Sequence, residues 1–184
     1  MPKKEIDHKE KKKLLNLSEI SLILDTYEDI FSDFDPRPFT ERALSDDFLL
    51  EAKKAARDKN NHVQLNFLIP KNKRDLNEEK LIKQRLKQHF EKHYSNLERD
   101  KNKMLKRGIM FIAAGVILML FASLVLLKEK GGFLSAFLII LLEPGGWFLF
   151  WEGLYQVIFE SKKMNPNLHF YGKMKNAEVS FLGV

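Results

Sequence analysis

The chain has 184 residues, 45% of them hydrophobic, and a formal charge of +6 from 31 Lys and Arg against 25 Asp and Glu. It has no cysteine, which excludes a disulfide framework, a thiolate metal site and a thiol nucleophile. Its apolar residues crowd together after Arg107, so the average composition hides two solvents, and a basic balance in such a chain points to topology and anionic lipid rather than to nucleic acid.

Residues 1–17 are lysine-rich with little apolar content and read as a disordered basic tail; no signal peptide is expected in them. Residues 18–75 read as a small α+β domain. A strand over Ile20–Leu24 ends at Asp25, and a second over His62–Ile69 alternates Val63, Leu65, Phe67 and Ile69 with polar Gln64 and Asn66 before Pro70 closes it. Between them, Ser45 is placed to cap a helix whose first turn holds Asp46 and Asp47 and whose apolar face is Phe48, Leu49, Ala52, Ala55 and Ala56. This is a strand–helix–strand unit, with a right-handed crossover if the strands are parallel.

The segment Leu24–Arg42 is the most distinctive soluble stretch. Asp25, Asp29, Asp33, Asp35 and Arg37 are its candidate ligand-binding residues, since carboxylate oxygens suit a hard cation and Asp25 stands at a strand end. The spacing matches no metal loop, so no metal, cofactor or catalytic residue is assigned. The competing reading is a loop of caps and turns anchored to the sheet by Phe31, Phe34 and Phe39.

Residues 76–107 read as one long amphipathic helix, with Leu86, Phe90, Leu97 and Met104 at helical spacing and neither Gly nor Pro from Asn77 to Arg107. His89 and His93 lie one turn apart on what reads as a solvated face rather than a metal pair. The lysines and arginines here alternate with acids and lack an aromatic platform, which argues against nucleic acid.

Residues 108–127 and 133–159 are apolar enough to cross a membrane, joined by a short external loop at 128–132. Lys101, Lys103, Lys106 and Arg107 precede the first span and Lys162 and Lys163 follow the second, so both termini are expected in the cytoplasm, at a plasma (inner) membrane. Small residues recur at heptad spacing. Folding at the turn sets Gly153 opposite Gly108, Gly146 opposite Gly115 and Ile139 opposite Ala122. Glu143-Pro-Gly-Gly146 is expected to break the second span, with Glu143 about 15 Å deep: as an ion or proton site, as a protonated group that donates to a carbonyl freed by Pro144 and holds a kink, or in a first half that dips without crossing. Glu152 is expected to pair with Lys106 or Arg107. Trp147, Trp151 and Tyr155 read, with Arg107, as interfacial residues.

Residues 160–184 read as a β-hairpin, Asn167–Tyr171 and Ala177–Phe181 around Gly172–Asn176, completing the N-terminal sheet. The functional reading is a non-enzymatic binding, sensing or scaffolding module coupled to a membrane hairpin. Its partners would be the bilayer, further copies of itself, and a cytoplasmic protein or small ligand. Two alternatives stand beside it: an oligomeric pore with Glu143 in the path, and a small membrane-bound hydrolase or transferase using the Asp25–Asp35 cluster.

Overall fold

Alternation of apolar and polar residues places two strands side by side at the N-terminal end of the chain, and a third joins them from far along the sequence. The computed structural model describes residues 19–59, 63–128 and 132–184; the expected tail at 1–17 and most of the loop at 128–132 lie outside them. Strand β1 is Glu19–Ile23, helix α1 is Asp46–Ala56 and strand β2 is Gln64–Ile69. Helix α2 follows as a single 53-residue run, Leu76–Lys128. Helix α3 is Phe133–Tyr155, a π-turn spans Gln156–Glu160, helix α4 is Ser161–Lys175 and strand β3 is Glu178–Gly183.

The sheet is fully parallel in the order β1-β2-β3. Ile20 lies beside Leu65 and Leu22 beside Phe67, while Val179 and Phe181 flank the same two β2 residues from the other side. Ser45 caps α1, its side chain accepting the Phe48 amide at 3.5 Å.

The expected C-terminal hairpin is corrected. Asn167–Tyr171 is helical, inside α4, and Glu178–Gly183 alone is a strand. The reason lies in the partner surface. Phe170 and Met174, four residues apart, are both buried with Phe90 of α2 in one core, which is helical spacing against a helix. A hairpin would also have paired its strands antiparallel, whereas β3 lies parallel to β2 and needs a crossover, here supplied by all three later helices.

The chain forms two units. One holds the described residues up to Ser95 together with Leu168–Val184; the other is Asn96–Asn167. In the first, Ile20, Leu65, Phe67, Phe181, Phe48 and Ala52 meet Ile82, Leu86 and Phe90 in a single core. Each large side chain fully buried there contributes about 1.5–3 kcal/mol. Strands added in sequence order by crossovers of one hand place their helices on one face of the sheet. Among the described residues the opposite face therefore carries no helix. Ile23 there is 79% exposed and Leu182 45% exposed.

The second unit inverts the pattern of a soluble bundle. Small residues meet at the contact between α2 and α3, while Ile109, Ile117, Leu120, Phe121, Leu134 and Phe148 point outward and are exposed. The two long helices are each apolar enough over a stretch of sufficient length to cross a membrane. The expected break at 143–146 is also corrected: α3 runs through Pro144 without interruption. Proline removes one backbone hydrogen bond, and a helix retains its course when its other turns and its neighbour hold it. The irregularity lies instead at Gln156–Glu160, where the Ser161 hydroxyl donates to the Val157 carbonyl at 2.5 Å.

Candidate functional site

The acidic segment after β1 is built as a clamp on its own backbone. Asp29 accepts the amides of Asp25 at 2.7 Å and Thr26 at 3.0 Å, closing the turn that begins at Tyr27. Asp35 receives Nε and a terminal nitrogen of Arg37 at 2.9 and 2.7 Å, and the Ala43 amide at 2.7 Å. The Arg37 guanidinium, then the Ala43 amide, hold the Asp35 carboxyl well below the usual carboxylate range. The Asp25 carbonyl accepts Lys73 Nζ at 3.1 Å, and Asp33 lies on the exposed turn beyond. Asp29 and Asp35 thus spend their oxygens on loop geometry. Among the described residues no three His, Asp or Glu side chains gather at metal-holding distance.

Phe31 and Phe39 stack at 4.9 Å and anchor this loop. Phe34, expected to do the same, is 97% exposed. It stands at the tip of a tight turn in which its amide and that of Asp35 both bond back to Ser32, so the backbone directs it away from the sheet.

A second cluster joins α2 to α4. The imidazoles of His89 and His93 stand 4.2 Å apart, and His93 stacks on Tyr171 at 5.3 Å and 15°. The expectation of a solvated pair is corrected for His89. It is half-buried, and its Nε2 is buried with no hydrogen-bond partner among the described residues. Burial, then the His93 neighbour, then Arg85 and Lys92 push its pKa down to about 4. Tyr171 of α4 lies 6.4 Å from His89, ring to ring, and reading that segment as a strand hid this neighbour.

Two further polar devices escaped sequence reasoning. The Tyr27 hydroxyl donates to Glu79 Oε1 at 3.1 Å and accepts the Asp75 amide at 2.9 Å, while Arg74 holds both oxygens of Glu79 at 2.7 and 3.0 Å. This network pins the start of α2 to the loop after β1. Buried Lys173 donates to the carbonyls of Ala56 at 3.1 Å and Lys59 at 2.5 Å, capping α1 from α4.

The open sheet face is graded along the strands. The Ser180 hydroxyl donates to Asn66 Oδ1 at 2.5 Å, and the Asn66 amide donates to Glu19, forming a polar row. One step toward the strand ends, Ile23, Leu68 and Leu182 stand in register as an apolar row.

In the helical pair, a Cβ on Gly115 would meet the Gly146 carbonyl at 2.6 Å, and one on Gly153 would meet the Gly108 carbonyl at 2.5 Å. Ala122 is buried. Glu152 accepts Gln156 Nε2 at 2.9 Å, four residues along its own helix, in place of the expected Lys106 or Arg107. That partner is already held one turn away and costs no further ordering. Trp147 and Trp151 stack at 5.7 Å on the outside, and the Tyr155 hydroxyl donates to Glu160 at 2.8 Å. Arg107 and Glu143 are exposed, and Glu143 has no hydrogen bond or ion pair among the described residues.

No family model, curated protein or solved structure matches this chain.

Proposed function

We propose that this chain is a two-pass integral membrane protein that holds a non-enzymatic α+β binding module at the cytoplasmic face. The single observation that carries this reading is the inverted helical pair. Glycines lie inside at the helix contact, and large apolar side chains lie outside. In water that surface would be costly at roughly 25 cal/mol per Å² of exposed apolar area. In lipid it is at rest, and close approach of small residues supplies the packing. Lys101, Lys103, Lys106 and Arg107 before the first apolar stretch and Lys162 and Lys163 after the second favour both ends in the cytoplasm. Trp151 and Tyr155 then fall near that boundary, where amphipathic rings settle.

The module's available surface is the sheet face that no described helix covers. Parallel sheets are ordinarily covered on both sides, so a face with an apolar row beside a hydrogen-bonded polar row suits a partner that covers it. A cytoplasmic protein or small ligand would dock there. Catalysis by the acidic segment is disfavoured because Asp29 and Asp35 are committed to backbone amides and Arg37.

Alkaline carbonate extraction of membranes containing the full chain tests the anchor. The protein should remain in the pellet and be released by detergent. Recovery in the alkaline supernatant would refute the reading. Single cysteines placed near each end, in a chain that has none, should react with a membrane-impermeant thiol reagent from the cytoplasmic side alone.

A further inference from the structure

We propose that two copies of this chain pair within the bilayer along the outward face of α3, with Glu143 of each at the centre of the contact. The inference rests on the two-pass reading above.

Glu143 is ten residues into α3, about 15 Å at 1.5 Å per residue, which places it near the middle of a hydrocarbon core roughly 30 Å thick. A carboxyl there is costly without a partner. The chain supplies none among the described residues, because Glu143 lies on the exposed side of α3 while Gly146 and Gly153 face α2.

The same face carries a second polar group that has lost its usual helical donor. Pro144 lies inside α3 and has no N–H, so the carbonyl of Ile140, four residues earlier, has lost its helical donor. Ile140 is three residues from Glu143, on the same side, and 71% exposed. A carbonyl that Pro144 cannot serve and a carboxyl without a partner among the described residues therefore stand one turn apart, at a depth where water is scarce.

A second copy answers both. A neutral carboxyl group donates and accepts, so it is complementary to itself and to a bare carbonyl. A two-fold axis beside Glu143 makes the contact isologous, letting each carboxyl reach the other or the partner's Ile140 carbonyl. The face is also patterned for a helix partner. Ala136, Ile140, Glu143 and Trp147 follow at steps of four, three and four, the repeat of a left-handed helix pair.

The chain lacks cysteine, so single cysteines can map the contact in full-length protein reconstituted in liposomes. Samples first pass the carbonate wash; failure at that step sinks the membrane reading and is distinct from failure of pairing. Ile140→Cys and Trp147→Cys should then form covalent dimers on oxidation. Leu141→Cys and Phe148→Cys, also exposed but on the far side of α3, should not. Adding Glu143→Leu to Ile140→Cys should weaken dimerisation by about tenfold, the scale of an interhelical hydrogen-bonded pair in lipid. Adding Glu143→Gln should preserve it, because an amide also donates and accepts. Equal crosslinking at all four positions, absence of crosslinking at Ile140→Cys and Trp147→Cys, or indifference to Glu143→Leu overturns the proposal.

Discussion

His89 shows how a residue that looks solvated acquires a physical consequence. Its folded-state pKa is depressed to about 4 from an ordinary 6.5, because burial and the adjacent His93, Arg85 and Lys92 disfavour a further positive charge. The depressed value means that the unfolded chain binds a proton which the folded chain refuses. Stability therefore falls as pH drops from about 6.5 toward about 4, and His89 makes no contribution above that window. His89→Phe keeps a ring against Tyr171 and removes the proton site. Melting temperature measured across this window should depend less steeply on pH in the variant. Identical slopes would show that His89 is not the titrating group. Asp35, by contrast, is held ionised by Arg37 and Ala43, so it opposes acid unfolding until pH falls below the normal carboxylate range.

At the scale of elements, the glycines of the helical pair separate contact from accident. Gly115 faces the Gly146 carbonyl and the Phe150 backbone at 2.6–2.7 Å from an added Cβ, whereas Gly145 has nothing within 4 Å. Gly115→Ala should therefore cost about 1–3 kcal/mol through overpacking against backbone that cannot give way. Gly145→Ala should be neutral or stabilising by up to about 1 kcal/mol from helix propensity. Thermal melts in detergent distinguish the two; equal behaviour would mean that the helices do not meet at Gly115. Much of this architecture was legible in the sequence. β2 announces itself by alternation, β1 by the apolar run that ends at Asp25, α1 by its Ser45 cap, and α2 by the long stretch without Gly or Pro. The α4 segment was not legible, because Leu168, Phe170 and Tyr171 suit either a strand or a helix until the surface opposite is known. Everything α4 touches was hidden with it, including the His93–Tyr171 stack and the Lys173 cap. The acids of the Leu24–Arg42 loop were visible as acids. Whether they bind a ligand or their own amides depends on turn geometry that spacing alone does not carry.

At the scale of the whole molecule, one sheet is assembled from both ends of the described chain. Phe181 of β3 lies 5.1 Å from Phe67 and 5.6 Å from Tyr27, so β3 helps to hold the core that β1 and β2 begin. A chain ending at Asn176 leaves β2 with an unpaired edge and takes an aromatic ring from that core. It should lose hydrogen-exchange protection at the β2 amides while still resisting carbonate extraction. Protection that survives the truncation would show the first two strands to be self-sufficient.

The same arrangement dictates an order of events during synthesis. Glu178–Gly183 leave the ribosome only after both apolar helices have been made. The nascent β2 edge must wait while the intervening helices are made, and it is open to aberrant pairing for that interval. Completion of the sheet thus reports that translation has passed the second long helix, tying maturation of the α+β domain to synthesis of the whole helical pair.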